Sequence, residues 1–280
     1  MVVNALSVDV EDWFQVGAFE KVIDRADWDS LEHRVEANTD MVLALFEAGG
    51  VKATFFTLGW VAERYPELMR RIVAGGHEIA SHGWDHQRVF TMGPEQFRAD
   101  LARARAVIED TSGAKVTGYR APSFSIDTRT PWAHAILAEA GYGYSSSVAP
   151  IRHDHYGWAD APRGPYRPVA GADLIEVPIT IARVAGKEVT TGGGFFRLLP
   201  GAITRTAVDA ANKDQRPAVF YFHPWEIDPG QPRVANAPLK SKLRHYARLG
   251  AMAGKLRTLI AGHQWGRMDA IVAGQAERIQ

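Results

Sequence analysis

The 280-residue chain contains no cysteine, which excludes disulfides and thiolate metal ligands. It also lacks any apolar run approaching the roughly 20 residues that a membrane span needs. Met1-Val2-Val3-Asn4 leads directly into an apolar stretch without the basic and apolar regions of a secretory signal, so the expected location is cytoplasmic. Lys plus Arg and Asp plus Glu number 32 each, leaving no overall field to draw in nucleic acid or an anionic membrane. There is no internal repeat and no low-complexity linker. The length suits one α/β barrel domain or two small domains.

What is present is chemistry at the ends of apolar segments. Ser81-His82-Gly83-Trp84-Asp85-His86 carries two histidines four apart after the strand-like run His77-Glu78-Ile79-Ala80. At the start of a helical or turn segment that spacing points both imidazoles to one side, and imidazole is the commonest metal ligand near neutral pH. An open metal site needs a third ligand, usually a carboxylate. Candidates follow the apolar strand Ala5–Val10, where Asp9, Glu11 and Asp12 crowd three acids into four positions. Such acids repel one another, and a cation relieves the repulsion. Two further apolar segments deliver polar groups: Gly118-Tyr119-Arg120-Ala121-Pro122-Ser123 and Val219-Phe220-Tyr221-Phe222-His223-Pro224-Trp225. In parallel α/β architectures chemistry sits at the C-terminal ends of strands.

Taken together, Ser-Val-Asp-Val-Glu-Asp-Trp at 7–13, Ser-His-Gly-Trp-Asp-His at 81–86, Tyr-Arg-Ala-Pro-Ser at 119–123 and Phe-His-Pro-Trp at 222–225 resemble the ordered motifs of the polysaccharide deacetylase superfamily, the NodB-homology or carbohydrate esterase 4 group. The first motif, the Gly192–Pro200 segment and the stretch from Leu239 to Trp265 resemble a subfamily from exosortase-associated exopolysaccharide loci that carries a C-terminal DUF3473-like region. The resemblance implies a distorted, incomplete (β/α)7 barrel over residues 1–235 and a packed helical extension over 236–280. The common first motif has adjacent aspartates, base then ligand; here Val10 follows Asp9, so the carboxylate ligand is Glu11 or Asp12. A continuing strand puts Glu11 on the face of Asp9. A turn directly after Val10 favours Asp12, and that is the preferred reading.

The implied activity is hydrolysis of an N-acetyl amide on the amino sugars of a polysaccharide. The implied cofactor is a divalent metal, zinc before cobalt, nickel or manganese, on His82, His86 and a carboxylate. Asp9 would be the base, Arg120 would hold Asp9 ionised, and His223 would protonate the leaving amine. The Ser123 N–H would stabilise an oxyanion. Trp13, Phe14, Trp84 and Trp225 would offer flat rings to the sugar, with Tyr156 and Trp158 behind them. An N-acetylated glycan is the expected partner, with self-association open and nucleic acid excluded. Two other readings are an allantoinase-like amidohydrolase and a catalytically idle carbohydrate-binding protein. An idle form is expected to have lost Asp9 or His223, and both are present.

The pattern alternates strands and helices. Helical stripes cover Trp28–Gly50, Val61–Gly76, Glu95–Thr111, Pro131–Ala140 and Pro200–Lys213. Strand patterns cover Val51–Leu58, Val116–Tyr119, Tyr142–Ser147, Leu174–Ile181 and Val219–Phe222. Residues 150–171 form a long aperiodic loop, and extra strands are expected between Val169 and Arg197. Leu239–Gly262 reads as one basic amphipathic helix closing the barrel.

Overall fold

The computed structural model describes residues 2–152 and 157–275; Tyr156 lies outside them. The strands are β1 Asn4–Val10, β2 Thr54–Thr57, β3 Glu78–Ser81, β4 Gly118–Tyr119, β5 Tyr144–Ser145, β6 Ile175–Glu176, β7 Ile181–Val184, β8 Lys187–Thr190, β9 Val219–Phe222 and β10 Trp265–Gly266. The α-helices are α1 Val35–Ala48, α2 Gly59–Arg64, α3 Pro66–Ala74, α4 Pro94–Ser112, α5 Ala133–Glu139, α6 Gly193–Leu198, α7 Gly201–Lys213, α8 Leu239–Tyr246, α9 Leu249–Gly262 and α10 Met268–Gln275.

One parallel sheet runs from β1 through β2, β3, β4 and β5 to β6, with β9 and β10 both pairing with β1. The order matches the sequence, as helical crossovers of one hand require. The sheet curls into an incomplete barrel. Beyond β6, the Thr180 N–H donates to the Val219 carbonyl at 3.3 Å, linking the far edge to β9. Strands β7 and β8 form a separate antiparallel hairpin.

Both faces of β1 are buried, and Asn4, Ser7 and Asp9 are the polar residues among its apolar ones. Its alternation still sorts the faces. Leu6, Val8 and Val10 join Phe55, Ile79, Phe220 and Phe222 in the core shared with the helices. Ala5 faces inward with Phe56, Ala80, Tyr144, Ile175 and Val219. Ser7, Asp9 and Glu11 continue that inner row towards the open end.

Two helical readings are corrected. The stripe over Val61–Gly76 is two helices, because Pro66 opens α3 and Tyr65 leaves the helical region (φ −127°, ψ 58°). Leu239–Gly262 is likewise two helices, broken at Ala247 and Arg248, the latter left-handed at φ 58°. The chain beyond 236 also does more than cover the barrel, since β10 joins the sheet beside β1. Among the described residues no helix is long and apolar enough to cross a membrane.

Gly118, two residues before Arg120, has a packing requirement. A Cβ there would lie 2.1 Å from Cζ of Tyr144, whose buried hydroxyl donates to Glu78 at 2.7 Å. Gly118→Ala is expected to lower unfolding stability by about 1–3 kcal/mol through overpacking. An unchanged urea midpoint would show that Tyr144 moves freely.

Candidate active site

The eight strands of the parallel sheet run to one rim, and five of them are followed directly by a residue of the site. After β1 comes Glu11, after β3 His82, after β4 Arg120, after β5 Ser146 and after β9 His223. The register explains this: Ser81 pairs with Tyr119, Tyr119 with Ser145, and Val8 with Phe222.

Arg120 is fully buried and fixes the centre. Its Nη1 donates to Asp9 Oδ1 at 2.6 Å and Ser7 Oγ at 2.8 Å, while Nε and Nη2 donate to the carbonyl and hydroxyl of Ser146. The guanidinium lies 4.0 Å from the Phe56 ring centroid. Four hydrogen bonds and a ring face leave it one orientation, and Asp9 is held with it.

Glu11, His82 and His86 form a cluster whose donor atoms all lie within 4.8 Å of one another. His82 Nδ1 bonds the Arg120 carbonyl at 2.8 Å, which makes Nδ1 the protonated nitrogen and leaves Nε2 with its lone pair. Burial, outweighing nearby Asp9 and Glu11, pulls the His82 pKa down to about 4, so the ring is neutral as a ligand must be. His86 sits in a left-handed turn at φ 62°, following Gly83 at φ 77°. These turns bring His86 Nε2 to 2.9 Å from Glu11 Oε2. That contact lacks hydrogen-bond alignment, and Glu11 Oε2 is buried without a hydrogen-bond partner. Burial raises the Glu11 pKa, but His86, His223 and His82 outweigh it and hold the carboxyl at about 2. A buried anion and two imidazoles around one point fit a divalent cation.

Asp12, the favoured carboxylate of the sequence reading, is turned away. Its oxygens accept the Trp13 N–H at 2.8 Å, the Arg34 N–H at 2.7 Å and the Val35 N–H at 3.0 Å. It thus caps the start of α1 from a distant segment. The chain turns only from Asp12, whose carbonyl accepts the Gln15 N–H, so Glu11 still obeys the strand alternation.

His223 sits across from the cluster, with Nε2 3.9 Å from Asp9 Oδ2 and 3.7 Å from Glu11 Oε1. Its Nδ1 bonds Glu226 Oε2 at 2.9 Å, and Glu226 also accepts the His223 N–H. Burial works against the imidazolium, but Glu11, Glu226 and Asp9 raise its pKa to about 9. Glu226 in turn meets Arg197 Nε at 2.7 Å, and that buried guanidinium donates to the carbonyls of Arg244, His245 and Ala247. The sequence reading missed both residues. Glu226 had a signal, an acid at the third position of a helical turn opened by His223 and Pro224, whereas Arg197 had none.

The tryptophans do not form the expected platform. Trp13 packs edge-on to Phe14 and donates to the Glu32 carbonyl. Phe14 is enclosed by Trp28 and Trp60. Trp84 lies under the Arg103 guanidinium, 3.3 Å from its ring centroid. Trp225 is sandwiched between His223 and His245, and its Nε1 donates to Glu11 Oε1 at 3.2 Å. Ser123 lies beside Arg120 in a left-handed turn at φ 56°. Trp158 is half-buried against the core. A cleft of about 220 Å³ opens beside His86, lined by Gln15, Gly17, Glu20, Asp24 and Arg25 among others.

With this geometry in place, two family models match adjacent parts of the chain. Residues 27–145 match polysaccharide deacetylase, and residues 146–273 match a domain of unknown function, DUF3473. The chain is 28% identical over 177 residues to a chitooligosaccharide deacetylase of Bradyrhizobium, covering 63% of this chain and 72% of that protein. It is 31% identical over 113 residues to a peptidoglycan deacetylase of Helicobacter pylori, covering 40% of this chain and 38% of that protein. Its fold is similar to a Mycobacterium smegmatis protein assigned to the polysaccharide deacetylases, with TM-score 0.68 and 21% identity over 99% of this chain and 91% of that one. PuuE allantoinase also shares the fold, with TM-score 0.62 and 16% identity over 98% of this chain and 90% of that one.

The two acids separate experimentally. Glu11→Gln is expected to lose bound divalent metal, as read by elemental analysis of the purified protein. Asp12→Asn should keep the metal and unfold about 1–2 kcal/mol more easily through its lost caps. Metal retained in Glu11→Gln at wild-type level contradicts the assignment.

Proposed function

Because the chain carries a polysaccharide deacetylase domain of the NodB, carbohydrate esterase 4 type followed by a DUF3473 region, we propose that it is a metal-dependent hydrolase that removes N-acetyl groups from amino sugars of a polysaccharide. The observation that carries this reading is the convergence of Asp9, Glu11, His82, His86 and His223 on one buried rim. The chain spans less than half the length of the Helicobacter relative, so its glycan is argued from the site.

An amide is a weak electrophile with a poor leaving group. Its hydrolysis needs an activated water, a polarised carbonyl and a proton for the amine. Glu11, His82 and His86 would hold a divalent ion, zinc on donor chemistry, which would supply Lewis acidity and lower the pKa of a water. Asp9 accepts the proton of the attacking water, since the Arg120 Nη1 bond to its Oδ1 fixes its orientation. His223 Nε2 faces the same space and delivers a proton to the departing nitrogen, with Glu226 holding Nδ1–H. Trp225 ties the two sides by stacking on His223 while donating to Glu11. The cleft beside His86 has room for a sugar ring and is lined by polar and charged side chains suited to hydroxyls. An idle binding protein would have no need of an acid and a base held in register across this space.

Asp9→Asn is expected to keep fold and metal while kcat falls about 10²–10⁴-fold on an N-acetylated glycan. His223→Ala should lose a similar factor on the amide and much less on an ester analogue, whose alkoxide leaves more readily. Equal losses on both substrates would remove His223 as the acid. Failure of the wild type on every N-acetylated glycan of a panel, with turnover of a small cyclic amide instead, would favour the allantoinase-like reading.

Arg197 acts through Glu226, so it is a positioning residue. Arg197→Met should lower kcat on the amide about 10-fold or more with KM little changed, and the loss should shrink on the ester. Arg197→Lys should recover part of it. Equal losses on amide and ester would mean that Arg197 serves only the packing of α8.

A further inference from the structure

The overall charge of zero conceals a segregation. From Pro229 to Met268 the chain has eight basic residues, Arg233, Lys240, Lys242, Arg244, Arg248, Lys255, Arg257 and Arg267, and no Asp or Glu. Much of this charge lies on α8 and the turn to α9, where Lys240, Arg244 and Arg248 are exposed. The same short helix carries Leu239 and Leu243, 72% and 63% exposed, the two most exposed large apolar side chains of the described residues. At i, i+4 they share one side of the helix. A solvated helix closing a barrel accounts for the basic residues but not for two adjacent leucines in water.

We infer that α8 docks on an anionic lipid bilayer, with Leu239 and Leu243 entering the interface and the flanking cations meeting the headgroups. Charge complementarity supports a bilayer, because leucines flanked by cations suit the boundary between acyl chains and anionic headgroups. An anionic glycan would use the cations and leave the leucines unexplained. The position of α8 gives this consequence. His245 of α8 stacks on Trp225, which stacks on His223, and Arg197 bonds the last carbonyls of α8 and its following turn. The docking face therefore adjoins the active-site rim. On the deacetylase reading, the substrate class is an N-acetylated glycan presented at a membrane surface. The docking itself does not depend on that reading.

Co-sedimentation of the full chain with vesicles tests it. Vesicles of phosphatidylcholine with about 30 mol % phosphatidylglycerol should bind at least about 10-fold more protein than pure phosphatidylcholine, and binding should weaken as NaCl rises from about 0.05 to 0.5 M. Leu239→Ser with Leu243→Ser, and separately Lys240→Glu with Arg244→Glu, should each cut binding about 5-fold or more while thermal melting and turnover of a soluble substrate stay at wild-type level. Absence of vesicle binding by the wild type overturns the inference. So does binding that both double variants retain, or a dimer in light scattering that the leucine variant dissolves, since a second copy would then be the occupant. Vesicle binding without any deacetylase activity would overturn the enzymatic reading and leave the docking intact.

Discussion

The site depends on burying two carboxylates at the end of one strand. Asp9 in β1 and Glu11 directly after it continue one inner row, and neither is exposed to solvent that could screen their repulsion. Each has its own compensation. Asp9 meets the Arg120 guanidinium, whose remaining hydrogen bonds go to Ser7 and Ser146. Glu11 has only imidazoles around it and one indole N–H, with an oxygen left over. The asymmetry supports the proposed division of roles. The carboxylate with a built-in cation suits a proton acceptor, and the one with a vacant oxygen suits a ligand.

The DUF3473 match begins at residue 146, directly after β5, yet the structure gives no seam there. That part supplies β9, which pairs with β1 over four residues, and so it supplies His223. It also supplies Glu226 and Arg197 behind His223 and the carbonyls that hold Arg197. The region thus completes the barrel and the site. Its last helices are tied to the His223 side of the rim by stacking and by one buried guanidinium, so the rim and the C-terminal helices form a single packed unit.

Much of this was legible in the chain because strand ends announce themselves: an apolar run stops at a polar group. The histidine pair, Asp9, Arg120 and His223 all carry that mark. The choice between Glu11 and Asp12 is not legible in the chain, because alternation says which face a residue takes but not where the strand gives way to a turn. Here β1 keeps its alternation one residue beyond its last ladder pair, and Asp12 is drawn off by the bare N–H groups of α1. The tryptophans were misread because adjacency in sequence says nothing of which way a ring points. Arg197 left no signal, being 29 residues from Glu226 on another element. Pro66 could have split its helix in advance, whereas the left-handed Arg248 could not.

The most direct measurement is acetate release from an N-acetylated glycan by chelator-stripped protein as divalent metal is titrated back. The account predicts negligible release without metal and activity that rises with occupancy to a plateau at about one ion per chain. Full acetate release by protein shown to be metal-free would contradict it.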